Sequence, residues 1–210
     1  MKPLPNNKKS ILLRTKRAKI TWFLVGLNVL YFLLEILLGG SDNINTIYTL
    51  GALVPQVVVQ GEVWRLLTAN FLHYSWLHLF VNMIGLYFLG RLVELKFGVF
   101  RYLIIYFVSG LGAMAAFTYF AITTNDTDYI LLGASGAIMG LVGSITALFL
   151  QNFWQERSRI ATRRLQFILL SIGLQFVFDF FIPEVSFLSH LFGLIIGFFV
   201  GLILLILSNL

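Results

Sequence analysis

Ser135 stands in the stretch LLGASGAIMGLVGS, where Gly133, Gly136, Gly140 and Gly143 surround one hydroxyl within a long apolar run. A glycine inside a helix costs about 1 kcal/mol relative to alanine, so this lattice must serve something other than helix formation. His190 opens a second glycine-spaced apolar run, SHLFGLIIGFFVG. A serine hydroxyl held about 2.6–3.2 Å from an imidazole is a nucleophile beside its general base, and the chemistry open to such a pair is attack on a carbonyl. His78 and Asn82, spaced i, i+4, add an imidazole and an amide to one face of a third apolar segment.

Taken one at a time, these residues have plainer readings. A serine among glycines is commonly a packing residue, an asparagine in a membrane helix is commonly interhelical glue, and a histidine in a first helical turn is commonly solvated. A shared depth in one structure would set them apart, and depth follows from the segments that carry them.

The 210 residues are 59% hydrophobic and only 11% charged, with a mean hydropathy of +0.89. Soluble domains carry about 25% charged residues, so the composition is that of a membrane protein. Six segments are long enough to span, at 20–38, 75–92, 102–122, 132–151, 167–182 and 187–207; a span needs about 20 apolar residues. The expected fold is an all-α membrane protein, a six-transmembrane-helix bundle forming one domain over 20–210 behind a basic tail over 1–19. The first apolar run is longer than a signal core and lacks an A-x-A-like exit, so a cleavable signal peptide is not expected.

The charge is unevenly distributed. Lys2, Lys8, Lys9, Arg14, Lys16, Arg17 and Lys19 precede the first span; Arg91, Lys96 and Arg101 lie around the end of the second; Arg157, Arg159, Arg163 and Arg164 follow the fourth. The opposite side holds Asp42, Glu62, Asp126, Asp128 and Glu184, with Arg65 as its base. The positive-inside rule then places both termini in the cytoplasm, and spans two, four and six enter from outside. The basic clusters read as topology determinants that favour anionic lipid, not as a nucleic-acid surface. The absence of cysteine removes disulfides, thiol nucleophiles and thiolate metal sites.

With this orientation Ser135 lies about one helical turn below the outer surface, His78 and His190 lie in first turns, and Asn82 lies one turn deeper. Polar groups inside spans are rare and costly, which also singles out Glu35, Gln175 and Asp179. Gly136-x-x-x-Gly140 in the fourth span and Gly193-x-x-x-Gly197-x-x-x-Gly201 in the sixth predict close packing of those two helices, which would bring Ser135 and His190 together. The loop over 39–74 contains YTLGALVPQVVVQGEVWRLLTANFLH, apolar enough to lie in the interface or to pack onto the bundle. His73 is expected near the mouth of a cavity.

In these residues the sequence resembles the rhomboid family of intramembrane serine proteases, from GEVWRLLTANFLHYSWLHLFVN through to SHLFGLIIG. The family's G-x-S-G motif matches Gly133-Ala134-Ser135-Gly136, which implies that Ser135 is the nucleophile. Its histidine followed by small-residue spacing matches His190 with Gly193 and Gly197, which implies that His190 is the general base. Its H-x-x-x-N matches His78 to Asn82 and implies that both stabilise the oxyanion. Trp64-Arg65 matches the pair in the family's first loop, and Glu94 matches its acidic residue after the second span. Both are structural in the family, as are Gly133, Gly136 and Gly193. Two positions depart from the pattern: Met139 stands where an aromatic commonly stacks on the histidine, and Ser189 stands where alanine commonly precedes it.

The resemblance implies cleavage of single-span membrane-protein substrates near their outer end, in a lipid bilayer, with no cofactor and no metal. It further implies a multi-pass protein of a prokaryotic plasma membrane whose site opens to the extracytoplasmic side. Asp179 lies near the outer end of the fifth span. Because the family works by a dyad, the first expectation for Asp179 is a hydrogen bond within the bundle or a helix-end cap; the alternative is a third member orienting His190.

Other classes fit less well. No H-E-x-x-H is present for a zinc peptidase, and three histidines without cysteine make a poor metal site. One aspartate within the spans excludes a two-aspartate protease. A transporter would need a polar path across the membrane, whereas the polar layer is confined to one side. A non-catalytic protein that binds or extracts membrane helices is the serious rival, and Ser135 discriminates it, since extraction would survive replacement of that residue.

Overall fold

The computed structural model describes residues 18–181 and 186–208. Six helices among them are long and apolar enough to cross a membrane. They are α1 (Lys19–Leu37), α2 (Trp76–Phe97), α3 (Val99–Thr123), α4 (Ser135–Glu156), α5 (Arg159–Phe181) and α6 (Phe187–Ser208). α2 passes through a π-helical turn at Leu86–Gly90. Among the described residues there is no strand, only an isolated antiparallel bridge between Leu53 and Leu131. Most of the basic tail, and Glu184, lie outside the described residues.

Five helix ends differ from the sequence expectation by three residues or more, at the end of α2, both ends of α4 and the starts of α3 and α5, and three of them have a clear local reason. α2 runs on to Phe97 because Glu94 is tied to the start of α1. Its carboxylate accepts from the N–H groups of Ile20 (3.2 Å) and Thr21 (2.8 Å) and from the Thr21 hydroxyl (2.8 Å). First-turn N–H groups have no partner within their own helix, and a negative charge suits that end of the dipole. α4 starts at Ser135, not 132, because Gly133 has φ +123°, outside any helix. α5 starts at Arg159, not 167: the Ser158 hydroxyl accepts from the N–H of Ala161 at 3.1 Å, an N-cap that makes the arginine-bearing turns helical.

α4 is the central helix. In its apolar stretch 67% of residues are buried inside the protein, against 11% for α5, which faces outward along most of its length. The core around α4 takes Leu24 from α1, Leu86 and Val93 from α2, and Tyr102, Ile105 and Tyr106 from α3. On the other side α4 meets α6 backbone to backbone. A Cβ on Gly193 would collide with the carbonyl oxygen of Gly136, one on Gly197 with that of Gly140, and one on Gly201 would come within 2.7 Å of the Ser144 Cα. Small residues at one-turn spacing permit this approach.

The long loop packs onto the bundle. Leu53, Val58 and Ala69 sit against Met114, Phe117 and Ala121 of α3, while Val59, Val63, Trp64 and Leu67 face outward. Arg65 holds the loop in shape from within. Its guanidinium donates to the Glu62 carboxylate (2.7 Å) and to the carbonyls of Tyr48 (2.8 Å) and Ala52 (2.9 Å), and it lies over the rings of Tyr48 and Trp64. Arg65 is 3% exposed, so these contacts replace its hydration.

Candidate active site

The chain reaches Ser135 through a loop pinned on both sides. Leu53 and Leu131 exchange backbone hydrogen bonds of 2.9 Å, and the Gly133 N–H donates to the Ala69 carbonyl at 2.8 Å. Gly133 then turns at a positive φ, and Ser135 begins α4, half-buried. A Cβ on Gly133 would lie 2.8 Å from Cε1 and 2.9 Å from Nε2 of His78, and 3.7 Å from Ser135 Oγ. The Nε2 edge of His78 and the Ser135 hydroxyl therefore border one small space, which only a glycine at 133 leaves open. Because Ser135 opens its helix, the first-turn N–H groups of α4 are free of intrahelical bonds and favour negative charge there.

His190 comes from the start of α6. Ser186 precedes that helix; its hydroxyl accepts from the Ser189 N–H at 3.2 Å and its carbonyl accepts from the His190 N–H at 3.2 Å. One turn on, Gly193 rests on Gly136, and Ser189 Oγ lies 3.3 Å from where a Gly136 Cβ would stand. Ser135 and His190 are thus each next in sequence to residues in contact across the α4–α6 seam. No direct hydrogen bond joins the two side chains among the described residues. In substrate-free enzymes such bonds commonly tighten only in the substrate complex.

The His190 side chain instead bonds to α5: Nδ1 lies 2.7 Å from Asp179 Oδ2. The expected hydrogen bond within the bundle is present for Asp179, and its partner is His190, as in the alternative reading. Asp179 Oδ1 also accepts from Gln175 Nε2 at 2.7 Å. Asp179 is legible in the sequence as a costly polar residue at the depth of Ser135, but no spacing rule reaches from one helix to the next to choose between its possible partners.

On α2, the His78 N–H donates to Ser75 Oγ at 3.2 Å, and Asn82 Nδ2 donates to the His78 carbonyl at 3.0 Å. That bond uses one of the two amide protons of Asn82 and leaves the other. Behind His78 stand Tyr74 and His73, with ring centroids 4.6 and 5.0 Å away. His73 corrects an expectation: it is fully buried rather than at a cavity mouth, because its N–H donates to the Glu35 carboxylate (3.1 and 3.3 Å). Its Nδ1 lies 3.2 Å from the Phe71 carbonyl, which can only accept, so Nδ1 carries the proton. Burial, reinforced by the charge of His78, pushes the His73 pKa down to about 3 against the effect of that carbonyl. Glu35, noted in the sequence only as an unusual polar residue, is the anchor of this segment. Met139 is buried in the core around α4.

Fold and site together define a multi-pass membrane protein with serine, histidine and amide groups gathered at one end of a glycine-packed helix pair. A family model described as the rhomboid domain matches residues 60–207. Rhomboid protease GluP of Bacillus subtilis (strain 168) is 34% identical over 184 residues, covering 87% of this chain and 34% of that protein. RHOMBOID-like protein 5 of Arabidopsis thaliana is 36% identical over 177 residues, 82% of this chain and 53% of that one. Rhomboid-like protease 1 of Toxoplasma gondii is 31% identical over 164 residues, 76% and 53% respectively. The chain belongs to the rhomboid family. It spans 34% to 53% of the length of these relatives.

Proposed function

We propose that this chain is an intramembrane serine endopeptidase in which Ser135 is the nucleophile and His190 the general base. The observation that carries the reading is the space bordered by Ser135 Oγ and His78 Nε2 under Gly133, beside the seam that brings α6 and His190 against α4. Relatives named as rhomboid proteases support it as well.

Ser135 Oγ attacks the scissile carbonyl carbon as its proton passes to His190 Nε2. The tetrahedral oxyanion takes hydrogen bonds from the free Asn82 amide proton, from His78 and from the Ser135 backbone N–H. Collapse breaks the C–N bond, and the leaving amine takes the proton from His190. Water then attacks the acyl-serine with His190 again as base, releasing a carboxylate and restoring Ser135. The substrates are single-span membrane segments that unwind near one end, because a closed helix hides its amides. The charge distribution supports a site that opens to the extracytoplasmic side, with both termini in the cytoplasm.

The test is cleavage of a tagged single-span substrate in proteoliposomes, comparing wild type with Ser135→Ala. A fragment made only by wild type is expected. Fragments made equally by both would refute the reading, and binding without any fragment, unchanged in Ser135→Ala, would favour the non-catalytic helix-handling rival.

A further inference from the structure

Asp179 has no part in the reaction above, yet it is held as few surface or packing residues are. Its side chain is 0% exposed, and both carboxylate oxygens are taken, one by His190 Nδ1 and one by Gln175 Nε2, each at 2.7 Å. Burying a carboxylate is costly unless charge and hydrogen bonds compensate. Gln175 stands one turn earlier on the same helix, so it orients the carboxylate toward α6 from within α5. α5 otherwise packs chiefly on α4 and touches α6 sparsely. A mere tie between α5 and α6 would need only an amide or a hydroxyl here; it would not need a charged group aimed at the ring nitrogen of His190. The ionisable groups near His190 are Asp179 from α5 and His78 from α2.

We propose that Asp179 is a positioning residue for His190. It holds the tautomer with the proton on Nδ1, which leaves Nε2 as the ring's acceptor for the Ser135 proton, and it stabilises the imidazolium formed when that proton arrives. Asp179 stays ionised throughout: the proton travels from Ser135 Oγ to His190 Nε2 and on to the leaving amine, while Nδ1–H remains bonded to Oδ2. The inference rests on the Ser135–His190 reading.

The experiment measures kcat and KM of purified wild type, Asp179→Asn, Asp179→Ala and Ser135→Ala on a fluorogenic single-span substrate, with thermal unfolding of each in the same detergent. Asp179→Asn is expected to lower kcat about 10²-fold or more, the scale of general-base assistance, with KM little changed. Added formate is expected to restore part of the kcat of Asp179→Ala. A wild-type kcat in Asp179→Asn overturns the proposal. So does a lowered kcat accompanied by a raised KM and a lowered unfolding temperature, the pattern of a structural tie. If Asp179→Asn does not fold, Asp179→Ala decides, and a kcat indifferent to formate overturns the proposal. Equal cleavage by wild type and Ser135→Ala would instead fail the Ser135–His190 reading itself.

Discussion

Gly193 of α6 rests directly on the carbonyl oxygen of Gly136 in α4, the residue that follows the candidate nucleophile. The obstacle to any larger residue at 193 is therefore backbone, which cannot rotate aside. Gly193→Val forces the helices apart at the level of Ser135 and His190. Overpacking typically costs about 1–3 kcal/mol, and a rigid neighbour puts this site at the upper end. Both a lower unfolding temperature in detergent and loss of cleavage are expected; a stable, active Gly193→Val would mean that the seam does not set the site.

Gly133 carries a separable role. A side chain there meets the His78 ring and must also adopt φ +123°. Forcing a residue into such a conformation costs about 1–3 kcal/mol, whereas displacing reacting groups by an ångström can cost about 10² in rate. Gly133→Ala should therefore lose activity far out of proportion to its thermal stability. Parallel, modest losses in both would contradict this.

Asn82 keeps one amide proton free of the helix. Asn82→Ala is expected to lower kcat by about 10²–10³, the usual result of removing one oxyanion donor, with substrate binding retained. A fall in binding with kcat intact would instead mark Asn82 as packing.

His73 links pH to stability. Its pKa is about 3 in the folded protein, against about 6.5 in an unfolded chain. Between those values the unfolded state binds the extra proton, so the contribution of the neutral ring is fully present above about pH 6.5 and falls as pH falls toward 3. His73→Gln should therefore flatten the decline of the unfolding temperature between neutral pH and about pH 4.5. An unchanged slope would assign that decline to other groups.

The sequence made the helices and their seam legible, because apolar length and one-turn glycine spacing are local patterns that survive without knowledge of the fold. Ser135, His190, His78 and Asn82 stood out for the same reason: each sits in a local motif or at a costly depth. Tertiary partners were the illegible part. Glu35 meeting the His73 backbone and Glu94 capping α1 each join residues on different elements, and no periodicity encodes such a pairing; Asp179 with His190 is one of two readings that the sequence leaves open. The start of α4 was misplaced because a glycine at 133 is compatible with a helix on composition alone, and only the packing of His78 and the Ala69 carbonyl draws it out of one.

A Ser135 hydroxyl activated by His190 reacts selectively with an electrophile that mimics the tetrahedral intermediate. The most direct test of this activation is intact-mass and peptide mapping of the detergent-solubilised protein after exposure to a fluorophosphonate. A single adduct on Ser135 is predicted, absent from Ser135→Ala and formed at least about 10²-fold more slowly in His190→Ala. Labelling that is unaffected by either substitution, or an adduct on another residue, would contradict the claim.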